Sequence, residues 1–241
     1  MSYQALPAGA GADDVAAPVD VAAAVARVGA VAVAVDSKDN VWVVQRAPVG
    51  VDSISKFDAN GKRLLTLGDS VVGHLNKAHG MNVDAQDNAY FADPSGAVII
   101  KVSPDGKVLG EIGTRGKRGD WDETKGQRLL WEPVSIAFDP RNGDMYIGEG
   151  HGAESPNDRQ SGEVHNTSGA ARVIRLDKNG KFISQIYGNM MGAGHFWMAH
   201  DVAIDPTDRL WLIEANTYPG TSLHELDRAA HTIGYARHVA G

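Results

Sequence analysis

The segment His79-Gly-Met-Asn-Val-Asp-Ala-Gln-Asp-Asn-Ala-Tyr-Phe-Ala92 combines two short apolar stretches with a polar turn between them. The first stretch ends at Asp84, the turn carries further Asp and Asn residues, and the second stretch is aromatic and apolar. Apolar and aromatic runs bounded by Asp and Asn are typical of hairpin strands. The segment therefore predicts a β-hairpin.

The same pattern occurs three more times, so four repeats are visible. Each copy has a short apolar strand that ends in Asp, a polar turn and a second strand; these copies span residues 31–44, 134–148 and 200–213. In three of the four repeats a further turn follows at Asn60-Gly61, Asp105-Gly106 or Asn179-Gly180. Such dipeptides suit turns that need a positive φ, and they predict a second hairpin.

Four strands per unit, repeated along the chain, indicate the blades of an all-β propeller. A β-sandwich is the alternative, but it does not explain why equivalent positions recur. We expect a propeller domain over residues 29–241. Residues 1–28, which are rich in Ala and Val, are expected to form an N-terminal extension or a closing strand.

The composition of the chain excludes several classes of function and of site. The 241 residues carry a net charge of -7, which argues against nonspecific binding to nucleic acid or to an anionic membrane. The chain has no cysteine, so disulfides and cysteine-based zinc sites are excluded. No apolar run is long enough for a membrane span, and the first residues lack the features of a secretory signal. We expect a cytoplasmic protein, or a secreted one whose signal peptide is absent from this chain.

The repeat register places two histidines at the same position. The first strand of each propeller blade lines the central channel, and the residues at its start are Val31, His79, Val134 and His200. Two imidazoles from different blades would thus meet at the channel mouth. Imidazole is a common ligand of zinc, copper and iron, so the pair predicts a metal site.

Carboxylates follow the second strand of three blades. The equivalent positions are Gln45, Asp93, Glu149 and Glu214. We expect a third metal ligand from one of these carboxylates or from His151, and we expect Glu149 or His151 to move a proton.

The pattern of an Asp-terminated strand with Asn-Gly-Lys or Asp-Gly-Lys turns resembles NHL repeats. More narrowly, the stretches 77–84 and 198–205, each with Ala-His at the start of an inner strand, resemble peptidyl-α-hydroxyglycine amidating lyase and its bacterial relatives. The resemblance implies zinc held by His79 and His200, a structural calcium at Asp201 and a substrate carboxylate beside Arg46. It also implies that His151 replaces the lyases' catalytic tyrosine, and it gives no third zinc histidine because Val134 stands there.

These observations favour a metal-dependent propeller enzyme that acts on a small molecule or peptide, either as a lyase of C–N or C–O bonds or as a hydrolase. The polar segment 152–169 leaves the mouth beside Glu149 and is interpreted as a lid. Two alternatives stay open. One is a non-enzymatic NHL module that binds protein or RNA, and the other is a copper redox site formed by His and Met near residues 190–200.

Overall fold

The computed structural model describes residues 30–150, 172–187, 199–207, 209–215 and 221–226. Four small antiparallel sheets form a four-bladed β-propeller, which confirms the all-β expectation. Blade 1 contains β1 (Ala30–Val35), β2 (Val41–Gln45), β3 (Ile54–Phe57) and β4 (Arg63–Leu67); blade 2 contains β5 (Met81–Val83), β6 (Ala89–Asp93), β7 (Val98–Val102) and β8 (Val108–Gly113). A short hairpin follows, made of β9 (Trp121–Asp122) and β10 (Gln127–Arg128).

Blades 3 and 4 follow in chain order. Blade 3 contains β11 (Pro133–Phe138), β12 (Met145–Glu149), β13 (Arg172–Leu176) and β14 (Phe182–Tyr187); the described part of blade 4 contains β15 (Asp201–Ile204), β16 (Leu210–Ala215) and β17 (Thr221–Leu226). Helix α1 (Asp69–Val72) links blades 1 and 2, and a 3-10 turn spans Glu123–Lys125. Among the described residues no helix has the length and apolarity that crossing a membrane requires.

The first strand of every blade lies at one edge of its sheet, as expected for an inner strand. Strand β5 contacts both β1 and β11, and β11 contacts β15. The expectations for residues 1–28 and for the lid at 152–169 lie outside the described residues.

Apolar side chains fill the spaces between successive blades. We call the face of a blade that is turned towards the preceding blade in chain order its leading face. The opposite face, turned towards the following blade, is its trailing face. Each core cluster joins one trailing face to the next leading face. Trp42 and Phe91 meet in this way between blades 1 and 2, with ring centroids 6.0 Å apart. Tyr90 and Phe138 meet between blades 2 and 3, at 4.9 Å.

The glycines of the second hairpins have the backbone conformation that the sequence predicts. Gly61, Gly106 and Gly180 have φ values of 79°, 88° and 80°. Side chains other than glycine rarely adopt this region, so these three positions fix the turns.

Each blade contains an aspartate that is paired with a cation, and the cation lies over an aromatic ring. In blade 1 the Lys56 ammonium lies 2.9 Å from the Asp36 carboxylate and 4.7 Å from the centre of the Trp42 ring. Burial alone would raise the pKa of Asp36, but hydrogen bonds from Asn40 and Lys56 outweigh it and lower the pKa to about 2. The other blades have similar contacts among Asp84, Lys101 and Tyr90, among Asp144, Arg175 and Tyr146, and among Asp205, Arg209 and Trp211. The aspartate of blade 3 lies in the turn and the cation of blade 4 precedes its second strand, so these two differ in position from blades 1 and 2.

Truncating Phe91 tests the importance of the packing between blades. Phe91 is fully buried, so Phe91→Ala should lower the free energy of unfolding by about 3–5 kcal/mol through lost burial and a cavity. The control, Leu109→Ala, removes a side chain that is 49% exposed and should change it by less than about 0.5 kcal/mol. Denaturant titration of both variants measures the difference, and equal losses would contradict the assignment of the core.

Candidate functional site

His79 lies two residues before the inner strand of blade 2 and extends its ladder. Its backbone N–H donates to the Ala92 carbonyl at 3.0 Å. Its ring Nδ1 lies 3.1 Å from the carbonyl oxygen of Val134, which is in the inner strand of blade 3. A carbonyl only accepts hydrogen bonds, so Nδ1 carries the proton and the lone pair of the neutral ring lies on Nε2.

His200 directly precedes the inner strand of blade 4. Its ring Nδ1 lies 2.8 Å from the Asp201 carboxylate, so this ring also holds a proton on Nδ1. The hydrogen bond to Asp201 raises the pKa of His200, although partial burial acts in the opposite direction. The side chain of His200 is 22% exposed, so the ring is accessible to a small molecule.

The two imidazoles converge as the repeat register predicts. Their ring centroids are 4.8 Å apart and the planes make an angle of 74°. Histidines from two different blades, far apart in sequence, therefore form one site at the start of the inner strands.

Two small residues allow the blades to approach this closely. A Cβ at Gly80 would overlap the Val134 carbonyl, the same group that accepts from His79. In the next blade pair the Ser135 hydroxyl accepts a hydrogen bond from the Val202 N–H at 3.1 Å. Sequence reasoning assigned no role to either residue, although both break the apolar pattern of their strands.

Arg46 contacts the backbone next to His79. Its Nε donates to the carbonyl of Ala78, the residue before His79, at 3.1 Å, and its side chain is otherwise exposed. This position is compatible with the expectation that Arg46 anchors an acidic group.

Glu149 was expected at the channel mouth, but its side chain is buried in the protein. It is fully buried in an ion pair with Arg172, and one of its oxygens accepts the Trp131 N–H at 2.7 Å. Burial raises the pKa of the Glu149 carboxyl, against the opposing influence of Arg172. Arg172 is also buried and donates to the carbonyls of Gly119 and Leu129, each at 3.1 Å, so the pair ties segment 119–131 to blade 3.

The other expected ligands do not complete a cluster. Asp93 is buried and accepts hydrogen bonds from Lys77 and Ser95. His151 and the side chain of Glu214 lie outside the described residues. In the part of the chain that is described, no three His, Asp or Glu side chains come together as a metal-binding group.

Proteins of known structure share the propeller fold. The chain is similar to hydrazine synthase from Kuenenia stuttgartiensis, with 15% identity over 88% of this chain and 49% of that one, at a TM-score of 0.60. It is also similar to virginiamycin B lyase from Staphylococcus aureus, with 14% identity over 84% and 54% of the two chains, at a TM-score of 0.52. A gluconolactonase from Xanthomonas campestris matches with 15% identity over 86% and 61%, at a TM-score of 0.51.

At these identities the likeness shows the fold alone. The chain spans about half the length of the hydrazine synthase and lyase chains that it matches. No protein-family model matches it. Membership of the NHL or amidating-lyase family therefore stays a prediction.

Replacing Arg172 tests how the buried ion pair affects the free energy of unfolding. Arg172→Met leaves the Glu149 carboxyl buried without its partner and should lower the free energy of unfolding by about 3–5 kcal/mol. The double variant Arg172→Met/Glu149→Leu should lose less, because no unpaired charge remains. Arg128→Met, at a side chain 62% exposed, serves as control and should change stability by less than about 0.5 kcal/mol in the same denaturant titration.

The contact between His200 and Asp201 should produce a measurable shift in the pKa of His200. In chelator-treated protein, NMR titration should give His200 a pKa above its ordinary value of 6.5, and Asp201→Asn should lower it. Because the pKa is raised in the folded state, the stability from this contact is fully present below about pH 6.5 and is lost as the pH rises through the folded pKa. An unchanged His200 pKa in Asp201→Asn would contradict the contact.

Proposed function

We propose that the chain is a propeller enzyme that cleaves C–O or C–N bonds, as a lyase or hydrolase, at the pair formed by His79 and His200, with one divalent metal, zinc, held by the two imidazoles. The observation that carries the proposal is the convergence of the rings at 4.8 Å, each fixed at Nδ1 by a different acceptor.

The geometry of the two rings fits a shared ion. Two imidazoles bound to one tetrahedral zinc have ring centres roughly 5 Å apart, because each Zn–N bond is about 2.0–2.1 Å. Metal-binding histidines also donate their second ring N–H to a carbonyl or carboxylate, which fixes the ring and its tautomer. Val134 and Asp201 provide these two acceptors. When bound, the ion would polarise a substrate oxygen or lower the pKa of a water.

The side chains around the two histidines then have separate roles. The Asp201 carboxylate accepts the hydrogen bond of His200 Nδ1–H and so orients the ring with Nε2 towards the ion. In this proposal Asp201 acts through His200, whereas the family resemblance implied a calcium ligand. The Arg46 guanidinium would hold an acidic group of a small molecule or peptide beside His79. Glu149 keeps a structural role, since it is paired with Arg172.

The propeller neighbours are compatible with this chemistry. Virginiamycin B lyase has been solved with quinupristin as a catalytically inactive histidine-to-alanine variant, with 15% identity over 83% of this chain and 53% of that one, at a TM-score of 0.51. That protein thus couples a propeller, a histidine and lyase activity, which is the combination that we propose here.

Metal analysis joined to activity assays tests the proposal. Protein purified without added metal should contain about one zinc per chain, and His79→Ala and His200→Ala should each remove it. Loss of an outer-sphere partner of a metal-binding histidine typically costs 10–100-fold, so loss of a ligand should lower turnover by at least about 100-fold. The assay panel contains quinupristin, gluconolactone and a peptide that ends in α-hydroxyglycine.

His74→Ala is the matched control, because His74 contacts Asp69 of helix α1 and not the pair. It should keep both metal and turnover. Full turnover in metal-free protein would disprove the metal, whereas full turnover in both His79→Ala and His200→Ala would disprove the site.

A further inference from the structure

The leading face of blade 1 is an apolar surface. Among the described residues it is more exposed than the leading faces of the other three blades. Val31, Val33 and Val35 point to this face and are 39%, 53% and 58% exposed. β-Branched residues along one face of a strand are typical of packing against another sheet.

The repeats show what this face is built to contact. Val33 is equivalent to Met81, Ile136 and Val202, which are 9%, 4% and 7% exposed. Each of these three packs against the trailing face of the preceding blade. The leading face of blade 1 therefore has the composition of a blade-to-blade contact, although no blade precedes it in the described residues.

The trailing face of blade 4 is the complementary surface. Trp211 is equivalent to Trp42, Tyr90 and Tyr146, which are buried against the following blade, whereas Trp211 is only half-buried. Ala203 lies beside it on the same face and is exposed. Among the described residues no core cluster joins this face to blade 1.

We infer that a second copy of this chain docks on these two surfaces, head to tail, so that two sets of four blades close one ring of eight. A copy supplies both missing partners at once, because each chain carries one leading and one trailing face. Head-to-tail contacts that close form a ring, and eight blades lie within the usual range of four to eight.

The internal contacts identify which residues meet across the new interface. Ala137 of blade 3 and Val202 of blade 4 share one core cluster. By the repeat register Ala203 is equivalent to Ala137 and Val33 to Val202. Ala203 of one copy therefore faces Val33 of the other.

Cysteine cross-linking tests this pairing directly, because the natural chain has no cysteine. A mixture of Val33→Cys and Ala203→Cys chains should form a covalent dimer under mild oxidation, and neither variant alone should do so to a similar extent. A mixture of Leu109→Cys and Ala203→Cys chains is the control, since Leu109 is similarly exposed but lies on an outer strand, and it should stay uncross-linked.

Sedimentation of the full chain gives the second measurement. The wild type should sediment at twice the mass of the chain, and Val33→Lys should raise the dissociation constant more than about 100-fold, because a charge would be buried without a partner. Leu109→Lys should leave the dimer intact. A monomeric wild type would overturn the inference, and so would an internal disulfide in the double variant Val33→Cys/Ala203→Cys. Neither result bears on the metal and turnover of the histidine pair, so the two proposals fail separately.

Discussion

The ion pair between an aspartate and a cation that lies over an aromatic ring is the interaction on which the packing of blades 1, 2 and 3 depends. In blade 1 the Asp36 carboxylate accepts the backbone N–H groups of the turn and also binds Lys56, which covers the Trp42 ring. The turn, the third strand and the aromatic ring are thereby fixed relative to one another. Because that ring projects from the trailing face, the same contact sets how the next blade docks. The positions of the inner strands, and so of the histidines at their opposite ends, follow from it.

Most of the fold was predictable because it repeats. Alternating apolar residues, an Asp at the strand end and an Asn-Gly or Asp-Gly turn are local signals, and they predicted the blades and the convergence of His79 with His200. The pairing of Arg172 with Glu149 was not predictable, because it depends on a contact between residues that local patterns do not relate. The same applies to Trp121 and Leu130, which segment 119–131 contributes to the core between blades 2 and 3. Nothing in the sequence around them distinguishes this segment from an exposed loop.

The two histidines of the candidate site are alike in position but not in electrostatics. A neutral carbonyl holds the ring of His79, whereas a carboxylate holds the ring of His200. The carboxylate raises the pKa of His200 and so favours its protonated form. The repeat register predicts that the rings meet, but it does not predict this asymmetry. The difference arises from the residue after each histidine, Gly80 in one blade and Asp201 in the other.

The close approach at Gly80 limits how the mouth can be redesigned. Any side chain at this position would overlap the Val134 carbonyl and displace the group that orients His79. Gly148 is under a similar restriction, because a Cβ there would crowd the Ser135 hydroxyl and the Ala199 carbonyl beside His200. Arg46 is exposed and can vary freely in size. A library that aims to change substrate preference would therefore randomise Arg46 and leave both glycines fixed.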